Sequence, residues 1–118
     1  MSKGRAAAID RLKHMIEAAN AIDEYASRGR AAFDKDQAVR DAILYQIVVL
    51  GEAAKAALNA DPSLEQELPT VEWSPIARMR DLVTHRYWAT DREVVWSTAT
   101  TDVPQLKSIL AIALSRLK

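Results

Sequence analysis

Ile9, Leu12, Ile16, Ala19 and Ile22 recur at spacings of three and four residues, with charged side chains between them. That is the period of one face of an α-helix. The pattern predicts an amphipathic first helix over residues 5–27, stopped by the Arg-Gly-Arg of residues 28–30. Residues 33–36, FDKD, read as a short connection in which Asp36 caps the next helix. This second helix is expected over residues 37–59, ending before Asp61-Pro62. From Ala42 to Leu50 it is apolar on more than one face, as in a helix central to a bundle or shared with a second subunit.

Residues 60–73, ADPSLEQELPTVEW, hold two prolines and form the longest loop. Ser74-Pro75 predicts a helix start, with Ser74 as N-cap and Pro75 at the first position, where its missing N–H costs nothing. The third helix then runs to Tyr87 or Trp88. Asp91 opens a fourth through Val94, Val95 and Trp96, and Pro104 begins a last segment with Leu106, Ile109, Leu110, Ile112, Ala113 and Leu117 on one side. No repeat or second domain is visible. The expected fold is all-α, an up-and-down bundle of four to five helices with residues 1–118 as one domain.

Composition narrows the functions available. Of 118 residues, 49% are hydrophobic and 27% charged, with only three glycines and four prolines, a soluble and helix-forming mixture. The absence of cysteine excludes disulfides and thiolate metal sites, and two histidines are too few for a histidine-built one. Neither a metal nor a cofactor is expected. The opening MSKGRAAAIDRLK is broken by charges every few residues, and no run approaches the roughly 20 apolar residues of a membrane span. A cytoplasmic protein is expected. Formal net charge is zero, so an anionic partner has to be met by a local patch.

The stretch RMRDLVTHRYW, residues 78–88, offers such a patch: Arg78, Arg80 and Arg86 with His85, Tyr87 and Trp88. At about 100° per residue, Ile76, Met79 and Val83 share the core-facing side of the third helix. Tyr87 falls about 20° from Arg80, at the edge of that side, while Asp81, His85 and Trp88 form an outward stripe. Asp81 and His85, four residues apart, are placed to meet. Arg80 and His85 stand roughly 140° apart around the axis and about 7.5 Å along it, so one regular helix cannot bring both to one small group. Either the helix distorts near His85 or a second copy of the chain completes the site. The outward Trp88 suits a dimer.

An arginine and a histidine, with no metal and no other evident nucleophile, fit phosphodiester cleavage in RNA, where the 2′-hydroxyl attacks. Histidine titrates near neutral pH and can carry the proton. The planar guanidinium can stabilise phosphate charge. Arg78, Arg80, Arg86 and Arg92 together form a basic cluster for the flanking backbone. His14, on the polar side of the first helix, reads as a surface residue, and Tyr45 beside Ile43 and Ile47 reads as packing.

RDLVTHRYW, from Arg80 to Trp88, resembles the HEPN motif in its Arg-x4-His-x-Tyr form. The VVLGEAAKAA of the second helix, the approach from Pro69 to Trp73, and the later VVW and VPQLKSIL resemble the HepT subgroup. The likeness extends over residues 8–114. It implies an all-helical homodimer whose two motifs face each other across a composite cleft. It also implies a metal-independent endoribonuclease, the toxin of a type VII-like toxin–antitoxin pair. Arg80 and His85 would then be the catalytic pair, and Tyr87 the hydroxyl to which an MntA-like nucleotidyltransferase antitoxin adds AMP. The glycine of Gly-Glu-Ala would let the second helix pack closely, and Glu52 would stay outside the chemistry. Asp81 stands where such proteins most often carry asparagine, and its carboxylate could fix the His85 ring. RNA, the antitoxin and a second copy are the partners expected. The alternative is a non-catalytic helical dimer that binds the nucleotidyltransferase, or a nucleotide, without cutting RNA. Neutral net charge and Asp81 favour the alternative; intact Arg80, His85 and Tyr87 favour the ribonuclease.

Overall fold

The computed structural model describes residues 1–117. The first helix, α1 (Lys3–Ala26), starts where the Ser2 hydroxyl accepts the Arg5 N–H at 3.0 Å. It buries Leu12, Met15, Ala19 and Ile22 on one face, as the apolar spacing requires. Gly29, at φ 95°, takes a left-handed backbone that only glycine adopts easily, and the chain turns there. The expected connection then coils into a short helix, α2 (Arg30–Lys35), which buries Phe33. Its last carbonyls, of Phe33 and Asp34, accept from Arg40 Nη1 at 2.8 and 2.7 Å. Asp36 caps α3 (Gln37–Ala60) as expected, accepting the Ala38 N–H at 2.9 Å.

α3 lies between α1 and the later α5 (Trp73–Arg86), which explains why it is apolar on more than one face. Ile43 and Ile47 are buried, Leu44, Val48 and Val49 are partly covered, and Tyr45 stays exposed. Each such aliphatic side chain, fully buried, stabilises the fold by roughly 1.5–3 kcal/mol. Arg5 donates to Asp61 at 2.6 Å and pairs with Glu67, tying the start of α1 to the end of α3, so these helices run antiparallel. Lys107 Nζ reaches Asp23 at 2.8 Å and fixes the start of α7 (Val103–Leu117) against the end of α1. The result is an all-α, up-and-down bundle.

Three boundaries differ from the pattern. The long loop contains one helical turn, α4 (Leu64–Glu67), anchored by the buried Leu64. α5 begins at Trp73, not at Pro75, and its N-cap is Glu72 rather than Ser74. The buried Trp73 draws the chain into helix two residues early. Pro75 then sits at the third position, where the N–H is still free of intrahelical duty. At the other end, α6 (Arg92–Ser97), capped by Asp91 at 2.8 Å from the Glu93 N–H, does not stop before Pro104. It passes through a π turn, Thr98–Asp102, straight into α7. Proline cannot donate to the carbonyl four residues back and crowds it. The wider turn, in which the Val103 N–H bonds to the Thr98 carbonyl, accommodates Pro104 without a break.

Candidate functional site

Every sequence-predicted site residue except Arg92, which opens α6, lies on α5 or in the segment just after it, and α3 forms the opposing wall. Val83 is buried and Ile76 and Met79 pack against the core, which turns Arg80 toward α3. There it meets Gly51. A Cβ on Gly51 would collide with Arg80 Cβ and Cγ, so the missing side chain is what lets the arginine stem lie against α3. This is the close packing expected of the Gly-Glu-Ala segment, and the partner it admits is Arg80.

The guanidinium is held on two sides. Nη2 pairs with Glu52, the residue after Gly51, and Nη1 donates to Asp81 Oδ1 at 2.9 Å. The Asp81 hydrogen bond, then Glu52, hold the Arg80 pKa above its ordinary value against the opposing effect of burial. Arg80 Nε is buried with no partner. A cleft of about 310 Å³ opens beside it between α3 and α5, lined by Lys55, Asn59, Trp73, Arg80 and Asp81 among others. Formally the site is one cation between two carboxylates. Glu52, set outside the chemistry by sequence reasoning, is therefore in direct contact with the motif arginine. Its only sequence signal was adjacency to the glycine that α5 crosses.

Asp81 does not meet His85. It turns back to Arg80, and no hydrogen bond joins it to the imidazole among the described residues. A permanently charged guanidinium outcompetes a histidine for the same carboxylate. His85 itself is exposed near the end of α5.

The helix distorts one residue after His85. Arg86 takes φ −145° and ψ 47°, and a 3₁₀ turn follows, Tyr87–Ala89. The Thr90 hydroxyl donates to the Tyr87 carbonyl at 2.8 Å and steadies this turn. Two consequences follow for the expected geometry. Arg80 and His85 remain on one regular stretch of helix, so the distortion comes too late to bring them together. Tyr87, beyond the break, loses the angular relation to Arg80 that an unbroken helix would give it. Instead of edging the core it is 63% exposed. Its ring contacts Trp88 edge to face, centroids 5.4 Å apart.

Arg78 and Arg86 are exposed and make no ion pair among the described residues. Arg92 differs: it stands 3.9 Å from Asp34, at the junction of α2 and α6. The four-arginine cluster thus divides into Arg80, held by two carboxylates, Arg78 and Arg86 on α5 with no ion pair among the described residues, and Arg92, associated with a carboxylate elsewhere. Among the described residues no three His, Cys, Asp or Glu side chains group so as to hold a metal ion. No described helix is long and apolar enough to cross a membrane.

Residues 15–112 match the family described as Ribonuclease HepT-like. The chain is 33% identical over 101 residues to a "Probable ribonuclease HepT" of Thermococcus cleftensis, covering 83% of this chain and 87% of that one. It is 28% identical over 97 residues to a "Gamma-glutamylcyclotransferase and putative RNase" of Methanocaldococcus jannaschii, covering 81% of this chain. The alignment spans only 42% of that second protein's length. No solved structure matches the chain.

Proposed function

The chain belongs to the HepT-like ribonuclease family, and on that premise we propose that it is a metal-independent endoribonuclease acting as a homodimer. The observation that carries this reading is the fixed Arg80, pressed against Gly51 and oriented by Glu52 and Asp81, on the same helix as an exposed His85. Because the two side chains point in different directions from one regular helix, a second copy has to bring its own Arg80 and His85 to the cleft.

In the proposed reaction one His85 takes the proton of the ribose 2′-hydroxyl, whose oxygen attacks the adjacent phosphorus. The bond to the 5′-oxygen breaks, and that oxygen leaves with a proton drawn from solvent water. The products are a 2′,3′-cyclic phosphate and a 5′-hydroxyl. Arg80 stabilises the charge that builds on the non-bridging oxygens, while Arg78 and Arg86 hold flanking phosphates. Glu52 and Asp81 orient the guanidinium, with Arg92 further out along the backbone.

In the cell the enzyme would be the toxin of a toxin–antitoxin pair. Tyr87 is exposed and lies two residues from His85, so a nucleotidyltransferase antitoxin could reach its hydroxyl and transfer AMP from ATP, releasing pyrophosphate. The added phosphodiester would place bulk and negative charge beside the proton-transfer group.

Cleavage of RNA in excess EDTA, yielding cyclic phosphate ends, tests the first part. His85→Ala should lower the rate roughly 10²–10⁴-fold, the range for a general acid or base, and Arg80→Ala roughly 10²–10³-fold. Activity that disappears with EDTA and returns with magnesium overturns it. Intact mass after incubation with the antitoxin and ATP tests the second part: added AMP on the wild type, none on Tyr87→Phe. The ion pairs on Arg80 favour one competing reading, a non-catalytic dimer that binds the nucleotidyltransferase. A wild type that neither cuts RNA nor arrests growth would establish that reading.

A further inference from the structure

Neither the core nor the proton chemistry uses Trp88. It is 70% exposed, and it belongs neither to the core nor to the partly buried side chains around it. The other two tryptophans differ: Trp73 is buried, and Trp96 rests on Phe33 with ring centroids 5.0 Å apart. Tyr87 supports Trp88 at an interplanar angle of 84°. The 3₁₀ turn beneath the two rings is closed by Thr90, whose N–H and hydroxyl both donate to the Tyr87 carbonyl. An indole has only two side-chain torsions, so fixing it costs little entropy. The ring therefore has a steady backbone and a neighbouring ring, and much of its surface is left in water.

The surrounding charge indicates what could cover it. His85 and Arg86 precede the pair and are exposed, and Arg86 has no ion-pair partner among the described residues. The one carboxylate in residues 84–92, Asp91, is occupied as the cap of α6. An aromatic platform beside an uncompensated arginine matches a ligand with flat π faces and a negatively charged backbone. Single-stranded RNA presents both, whereas a duplex hides its base faces in the stack.

We propose that Trp88 is a base-stacking subsite, on which an unpaired nucleobase next to the scissile phosphate lies while Arg86 contacts the backbone. The inference rests on the ribonuclease reading and deepens it: the substrate is single-stranded RNA, gripped by a base as well as by phosphates. Stacking strength rather than edge recognition would then set a preference for purines.

The test uses the full chain and an oligoadenylate carrying 2′-O-methyl groups, which binds but cannot be cleaved. Titration should quench the fluorescence of the wild type, and Trp88→Phe should lose that quench while keeping most of the affinity. Trp88→Ala should bind roughly 5- to 150-fold more weakly, the range measured for one base–aromatic stack. A sugar–phosphate chain without bases should bind wild type and Trp88→Ala equally. Equal oligoadenylate affinity for wild type and Trp88→Ala would overturn the proposal. So would an unquenched wild type at saturation, a readout that does not depend on the alanine variant folding. A Trp88→Ala chain that sediments as a monomer when the wild type is a dimer would assign the ring to a subunit contact, and overturn it too. Quenching and weakened binding in a protein that never cuts RNA would sink the ribonuclease reading and leave the subsite standing. Cleavage unaffected by Trp88→Ala would do the reverse.

Discussion

To grip a phosphate, Arg80 has to share its guanidinium with an anion while Glu52 and Asp81 already hold it. Two Nη protons are committed to those carboxylates and Nε is buried. The remaining Nη protons are left for substrate. Each carboxylate orients the fork and repels phosphate at the same time. Both are partly exposed, 49% for Glu52 and 60% for Asp81, so solvent screens the repulsion and its size resembles that of a surface pair. Replacing either charge by its amide, Glu52→Gln or Asp81→Asn, should keep an oxygen acceptor and remove the repulsion. We expect binding of a non-cleavable oligonucleotide to tighten about two- to fivefold, corresponding to surface-pair energies of roughly 0.5–1 kcal/mol. Weaker binding by both amides would show that orientation outweighs charge. Spacing and residue type single out Arg80 and His85 as candidates, and the structure sets both on α5. The Glu52 contact was not legible in the sequence, because it joins two helices 28 residues apart in sequence, and no periodicity reports on that. The Asp81–His85 pairing was legible but mistaken: helical spacing says which side chains can meet, not which of two partners a carboxylate prefers.

α3 and α5 touch where a glycine faces an arginine stem, and that crossing sets the site. In an isolated helix Gly51→Ala would stabilise by about 1 kcal/mol. Here the new methyl meets atoms close to the α5 backbone, Arg80 Cβ and Cγ, which cannot swing aside like the end of a long side chain. Overpacking of this kind costs about 1–3 kcal/mol and wins over propensity. Gly51→Ala should therefore lower the melting temperature by several degrees and reduce cleavage together with it. A variant more stable than wild type would mean that α5 can move away freely. Elements were readable in proportion to their length. α1 and α3 show their apolar period over many turns. α2 and α4, at six and four residues, are too short to display one. The start of α5 was misplaced because local capping rules favoured Ser74, while the burial of Trp73 decided the matter from outside the segment.

For the molecule as a whole, the separation of Arg80 and His85 on one straight helix makes subunit number a functional question. The chain should sediment as a dimer at micromolar concentration. Mixing the inactive Arg80→Ala and His85→Ala variants should restore part of the cleavage, which two independent monomers could not do. A monomer, or a mixture that stays inactive, counts against the composite cleft. The fold also carries an acid sensitivity. The Ser63 hydroxyl first, and then Arg5, hold the Asp61 carboxyl below the usual carboxylate range. A carboxyl depressed on folding contributes stability above its unfolded pKa of about 4 and loses it as pH falls through the lower folded value. In melting curves from pH 7 downward, the gap between wild type and Asp61→Asn should stay constant to about pH 4 and close below it. A gap that widens in acid would contradict this ion-paired fastening of α1 to the end of α3.

The π turn at Thr98–Asp102 also sets the rotational phase between the two halves of one long helix. It holds an extra residue relative to an α-helical turn, so everything after it is rotated by about 100° from where an uninterrupted helix would carry it. Val103, Leu106 and Leu110 reach the core only in the rotated setting. Thr100 is exposed, and deleting it takes no side chain out of the core. The deletion would nevertheless turn those three side chains off the core and set Pro104 in an ordinary α-turn that cannot accept it. The single deletion should unfold α7 and lower stability far more than Thr100→Ala, as circular dichroism and thermal melting of the two variants would reveal.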